Sequence, residues 1–150
     1  MWVNTWLQWL QSSDKHKLVA NGKNVRFAPG NCNSRNILYL VTCEFCHKIY
    51  VGESVQKMSK RFTDHRHCVY QILRNAEIDF ESDDYSLGLH LYYEHGRHSE
   101  EDFDKAYTVY ILENCIPAAR DKCEYMSIHK YNTLHPNGLN KLNPFKLSGK

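Results

Sequence analysis

The sequence predicts an α/β domain of the α+β type, with a central three-stranded antiparallel sheet flanked by helices and a metal-binding insertion. Three observations predict it. Apolar runs of strand length stand at 37–42, 48–52 and 106–112. A stripe of apolar residues at helical spacing runs from Val55 through Met58, Phe62, Val69 and Ile72 to Leu73, and Pro117 opens a second long helical stretch. A Cys-x-x-Cys turn, Cys43 to Cys46, separates the first two strands, and His90 and His95 follow downstream.

The 150 residues suit one domain with an extra element or two. Apolar residues make up 42% and aromatics 13%, which is a globular rather than a disordered composition. The net charge of +2 is too small to argue nucleic-acid binding alone. Its distribution says more: Lys57, Lys60, Arg61, Arg66 and Arg74 cluster, and Glu77, Asp79, Glu81, Asp83 and Asp84 follow as an acidic patch. Two ordinary solvated faces would read the same way. The start lacks the basic residues and cleavage site of a signal peptide, and no apolar run approaches the ~18 residues of a membrane span. The expected compartment is intracellular and reducing, where the six cysteines serve as metal ligands or core thiols rather than disulfides.

The elements follow in order. Trp2, Trp6, Trp9 and Leu10 share one face of a short amphipathic helix over 1–15, a cover for the core or a contact for a partner or membrane interface. Asn21-Gly22, Pro29-Gly30 and several Asn make 20–36 a linker or loop, so 1–35 is read as helix and linker, 36–145 as the domain and 146–150 as a tail. The run 37–42 is a buried strand. After a turn at 43–47 comes a second strand, with Ile49 and Val51 on one face and Tyr50 on the other. The pair makes a hairpin. Ser54 is placed to cap the next helix, whose apolar stripe includes His65. Residues 75–86 are polar and acidic, a loop. Residues 87–93 read as a short helix and 106–112 as the third strand. Pro117 sits where its missing N–H costs nothing, and Tyr125, Ile128 and His129 lie on the inner side of the helix it starts. Pro136-Asn137-Gly138 is a turn.

The order Ile37-Leu38-Tyr39, Tyr50-Val51-Gly52, Arg61, His65, Glu124 and Asn140 resembles the GIY-YIG nuclease family over about residues 36 to 145. More narrowly, the chain is similar to the endonuclease domain of Penelope-like retroelements. The phrases that carry this are Asn31-Cys32-Asn33 ahead of Ile37-Leu38-Tyr39-Leu40, the Cys43 to Cys46 turn, Tyr50-Val51-Gly52-Glu53, Ile111-Leu112-Glu113-Asn114 and Gly138-Leu139-Asn140. The resemblance implies a GIY-YIG-like fold and a metal-dependent DNA endonuclease that hydrolyses phosphodiester bonds, nicking target DNA for insertion of a retroelement. It implies a nuclear setting, DNA as partner, and a reverse transcriptase domain in the parent element. A standalone repair or restriction nuclease, and a zinc-stabilised nucleic-acid-binding module without cleavage, are the alternatives.

The chemistry needs an activated water, charge neutralisation on the phosphate and help for the leaving oxygen. Glu124 can hold Mg²⁺, or Mn²⁺, as a hard oxygen ligand. Arg61 can grip two phosphate oxygens with its planar fork, and its four-residue spacing puts it on one face with His65, which can bond the phosphate or a water. Tyr39 takes the water-activating role by the resemblance, which requires nearby cations to lower a phenol pKa of about 10 or hydroxide already formed; Tyr50 would orient the substrate. The resemblance implies that Asn140 braces substrate or metal water; Lys60 can contact a flanking phosphate, and Gly52 lets backbone approach closely. The plain alternatives are strand tyrosines, a packed His65, an Asn140 that ends a turn, and a Glu124 paired with Arg120 one helical turn earlier.

Cys43 and Cys46 have the spacing of a zinc knuckle, and His90 and His95 supply the two ligands that a tetrahedral structural Zn²⁺ site still needs. The resemblance implies the same Cys-Cys-His-His set. His98, His47, Cys32 and the His65–His67–Cys68 group are other sources of ligands, and Cys68, Cys115 and Cys123 are read as structural thiols.

Overall fold

The computed structural model describes residues 18–74, 85–97 and 99–141. The expected helix at 1–15, most of the acidic loop, His98 and the tail lie outside them. Val19–Ala20 (β1) and Lys23–Asn24 (β2) form a small hairpin. Ile37–Cys43 (β3), Ile49–Ser54 (β4) and Tyr107–Asn114 (β5) form an antiparallel sheet in the order β4-β3-β5. The helices are Met58–Leu73 (α1), Ser86–His95 (α2), Glu100–Ala106 (α3) and Arg120–Tyr131 (α4). Among the described residues, no helix is long and apolar enough to cross a membrane.

All seven side chains of β3 are buried, because helices or the β1–β2 hairpin cover both faces of the central strand. Ile37, Tyr39, Val41 and Cys43 point to one side, with Tyr50, Val109 and Ile111 beside them. Met58, Phe62 and Val69 of α1, Leu87 and Leu91 of α2 and Phe103 of α3 cover that side. Leu38, Leu40, Ile49, Val51 and Tyr110 face the other way, against Ile128 and Tyr131 of α4 and against Ala20 and Val25. Burying each such side chain contributes roughly 1.5–3 kcal/mol. The alternation of Ile49, Tyr50 and Val51 across the sheet is the one the sequence predicts.

The expected loop at 20–36 contains a hairpin at its start. Asn21 and Gly22 both take positive φ, 50° and 78°, which makes a two-residue type I′ turn. The side-chain amide of Asn21 donates to the carbonyl of Tyr131, tying this hairpin to the end of α4.

Ser54 does not cap α1. Its hydroxyl bonds both the N–H (3.0 Å) and the carbonyl (2.9 Å) of Gln56 in a local turn, so Val55 is exposed and the helix starts later, at Met58. The first N–H groups of α1 go instead to the carbonyls of Ser34 and Cys32, each at 3.0 Å. A loop more than twenty residues earlier therefore satisfies the donors that an N-cap side chain would have taken.

A helix that the strand pattern had hidden, α3, precedes β5. Ser99 accepts the N–H of Asp102 at 2.9 Å and caps it, so β5 begins at Tyr107 rather than 106. Pro117 opens a 3₁₀ turn, Pro117–Ala119, that runs into α4. His129 proves to be exposed rather than on the inner side, where Ile128 and Tyr131 lie.

Candidate functional site

Tyr39 sits in the middle of the central strand, directly opposite Gly52 on β4. A Cβ at Gly52 would lie 2.4 Å from the Tyr39 hydroxyl and 2.8 Å from the Tyr50 ring, so only glycine lets both rings stack over this point of the strand. Arg61 and His65, one turn apart on α1, reach down to the same phenol. The Tyr39 hydroxyl lies 2.6 Å from His65 Nε2, and Arg61 Nε donates to it at 3.2 Å. The Tyr50 ring packs edge-on to His65 at 5.4 Å between centroids.

The Tyr39 phenol is fully buried and pushed up to about 12. Burial is the main cause; the Arg61 charge and hydrogen bond oppose it, the Glu124 carboxylate adds to it, and a hydrogen bond with Tyr50 opposes it. This corrects the expectation that neighbouring cations depress the group: Arg61 only offsets part of the desolvation. Arg61 and Tyr50 both supply hydrogens to the phenolic oxygen, which leaves its own proton for His65 Nε2.

Tyr39, Tyr50, Gly52, Arg61, His65 and Glu124 are thus in one neighbourhood. Lys60 and Asn140 stand apart from it. Lys60 is exposed and paired with Asp64 at 2.6 Å. Asn140 is fully buried: its Oδ1 accepts from Val51 N–H (2.8 Å) and the Thr133 hydroxyl (2.7 Å), and its Nδ2 donates to the Val51 carbonyl (2.8 Å). The side chain acts as a surrogate strand on the open edge of β4. Its Oδ1 and one of its two Nδ2 hydrogens are committed to protein.

An open depression of about 240 Å³ lies beside this group, lined by Arg61, Arg120, Glu53, Gln56 and Asp64. Arg120 pairs with Glu53 at 3.5 Å. Glu53 Oε2 and Arg120 Nη1 are buried and have no hydrogen-bond partner among the described residues. Burial and the neighbouring Asp121 hold the Glu53 carboxyl above its usual range, against the pull of Arg120. Sequence reasoning missed Glu53 and Arg120 as site residues. Their signal was weak: Glu53 directly follows the Tyr50-Val51-Gly52 run, but only the fold brings Arg120 to it.

The second group lies where β3 ends. Cys43 closes the strand and Cys46 sits in the turn; His90 and His95 come from α2. Their ligand atoms all lie within 4.8 Å of one another. Cys43 Sγ is 3.5 Å from His95 Nε2, Cys46 Sγ is 3.3 Å from His90 Nε2, and the two Nε2 atoms are 3.1 Å apart. These separations are close to the edges of a zinc tetrahedron, about 3.3–3.8 Å from its bond lengths. Burial lowers His90 to about 4, so its imidazole is neutral and ready to ligate, and burial pushes Cys43 up to about 11. His90 Nδ1 is 3.0 Å from the Glu94 carboxylate, an arrangement that orients a ligating histidine. The group could hold a structural metal such as zinc. Glu94 was missed, although its place four residues after His90 on a helix is legible in hindsight.

Comparison of the chain with protein-family models, with curated proteins and with solved structures finds no match.

Proposed function

We propose that this chain is a metal-dependent DNA endonuclease of the GIY-YIG type, most like the endonuclease domain of Penelope-like retroelements, with zinc in the Cys43–Cys46–His90–His95 group. The observation that carries the reading is the convergence on one buried phenol of Arg61 and His65 from α1 and of the Glu124 carboxylate from α4. The α+β architecture and the order of the motifs along the chain support it. Target DNA is the proposed partner, with a reverse transcriptase domain in the parent element and the nucleus as the setting.

Glu124 offers a hard oxygen ligand and stands close enough to act on Tyr39, so the donor chemistry fits Mg²⁺ or Mn²⁺ completed by water. When bound, that ion supplies charge neutralisation for the phosphate and the leaving 3′ oxygen. Arg61 and Arg120 line the depression and would seat a phosphate there, Arg61 through its planar fork. A phenol held near 12 is no resting base at neutral pH. Its oxygen is held by His65 Nε2 at 2.6 Å and Arg61 Nε at 3.2 Å, so Tyr39 would keep its proton and position Arg61 at the phosphate, while the attacking water gives its proton to solvent. The buried phenol then never carries a full negative charge. Water oxygen bonds to phosphorus, the bond from phosphorus to the 3′ oxygen breaks, and that oxygen takes a proton from solvent.

Supercoiled plasmid incubated with the purified chain and Mg²⁺ tests this. Relaxed or linear product is expected for the wild type, with a loss of at least ~10²-fold for Glu124→Ala. Complete burial of Tyr39 favours one other reading, a zinc-stabilised nucleic-acid-binding module. Intact plasmid under conditions where the wild type binds DNA would replace the endonuclease reading with that one.

A further inference from the structure

Cys115 and Cys123 take no part in either group described above. Cys115 follows β5, and Cys123 lies in the first half of α4. Both pack with Leu38, Val51 and Ile128 on the α4 side of the sheet, away from the face that carries Cys43. The exposed carboxylate of Glu113, at the end of β5, completes a trio: one carboxylate oxygen and the two Sγ atoms all lie within 4.8 Å of one another.

Two neighbouring thiols are an ordinary core feature, and so is an exposed carboxylate beside them. What the trio adds is three donor atoms of metal-ligand type within 4.8 Å of one another. The backbone around the trio is anchored independently of any ion. Cys115 N–H donates to the Asn36 carbonyl at 2.8 Å, which fixes the chain beyond β5 against the residue before β3. Ile128 fixes α4 against Leu38 and Val51. The three donors therefore need only side-chain adjustment to reach the tetrahedral edges of about 3.5–3.8 Å that zinc bond lengths impose. Glu113 stands at the solvent side and gives an ion its way in.

We propose that Glu113, Cys115 and Cys123 form a second metal site, which takes a thiophilic divalent cation of the Zn²⁺ class with water in the fourth position. Two thiolates and a carboxylate suit that ion and disfavour Mg²⁺ or Ca²⁺, which select oxygen. On binding, each thiol gives up its proton to solvent and the two sulfurs and one oxygen bond the metal. The ion clamps the end of β5 to α4 at the residue immediately before Glu124. The proposal is independent of the endonuclease reading, since it concerns only metal uptake.

The test uses the full chain, reduced and metal-free, titrated with Co²⁺ and followed by thiolate-to-cobalt charge-transfer absorbance, with zinc stoichiometry from elemental analysis. Cys115→Ser and Cys123→Ser are each expected to take up about one ion fewer per chain than the wild type. Cys68→Ser, a thiol outside the trio, is expected to match the wild type. Glu113→Gln replaces an exposed side chain and should leave the fold intact, as circular dichroism would check; its last ion should bind at least ~10-fold more weakly. Equal stoichiometry in the wild type and both cysteine variants would overturn the site. So would an unchanged last-ion affinity in Glu113→Gln, which decides the matter if the cysteine variants do not fold. A reduced wild type that takes no such ion but closes a Cys115–Cys123 disulfide on oxidation would make the pair a redox element instead.

Discussion

Arg61 and His65 both bond the Tyr39 hydroxyl, and Gly52 is the residue that makes room for that ring. The ring fills the space where any Cβ at 52 would sit, 2.4 Å from the hydroxyl. Gly52→Ala must displace the Tyr39 or Tyr50 ring, and overpacking of this kind costs about 1–3 kcal/mol. Urea unfolding is expected to register that loss, and an alanine variant as stable as the wild type would refute the placement of Tyr39. Arg61 bonds Tyr39 through Nε, a geometry that lysine cannot copy. Under the proposed function, Arg61→Lys should keep the positive charge yet lose at least ~10²-fold in plasmid cleavage. A variant within a few-fold of wild type would reduce Arg61 to a bystander charge. The types and order of these residues were legible in the sequence. The protonation of Tyr39 was not, because desolvation depends on how much protein surrounds the ring rather than on its neighbours in the chain.

At the scale of elements, two devices hold β4 and the metal turn in place. The Asn140 side chain bonds both backbone groups of Val51 on the open edge of β4. Asn140→Ala strands a buried N–H and a buried carbonyl, at roughly 1–3 kcal/mol each. A thermal scan should show the largest drop of any single asparagine substitution, and a negligible one would mean water replaces the amide without penalty. The Cys43–His95 group joins the β3–β4 turn to α2, and its pH response has a definite sign. Folding holds His90 near 4, below the ordinary histidine value of about 6.5. The unfolded chain therefore binds the proton first as pH falls. The contribution of neutral His90 is complete above about 6.5 and is lost on the way down to about 4. Proton competition for His90 acts on zinc in the same direction. Zinc retention and thermal midpoint are both expected to fall between pH 7 and pH 5, and a midpoint that rises with acid would contradict the buried, neutral imidazole. The Cys-x-x-Cys pair could be read from its spacing, and the resemblance chose His90 and His95 from several candidate ligands. Asn140 could not be read as a strand clamp, since an asparagine beside a turn glycine signals only a turn.

For the molecule as a whole, a net charge of +2 and a depression lined by two arginines set a limit on the DNA affinity that the proposed function needs. If Arg61 and Arg120 are the main phosphate contacts, binding should weaken by only about tenfold between 50 and 200 mM salt, from a slope near −0.9 per phosphate neutralised. Fluorescence anisotropy across that range measures it. A fall of a thousandfold or more would require a much wider basic face than this depression provides.

By itself the sequence determined what local periodicity governs: three strands, the α1 stripe with Arg61 and His65 on one face, the helix behind Pro117, and the Cys-x-x-Cys turn with its two histidines. The strands, the stripe, the helix and the turn each depend on side chains within a few residues of one another, so the chain carries those signals directly; the two histidines, 44 or more residues beyond Cys46, were joined to the turn by the resemblance. Only the tertiary structure decided the rest. It gave the first turn of α1 its hydrogen-bond partners at Cys32 and Ser34, brought Arg120 to Glu53, set the Glu124 charge against Tyr39 and turned His129 outward. Those outcomes follow from which surfaces meet when the two faces of β3 are covered, and pairwise spacing along the chain does not encode that meeting.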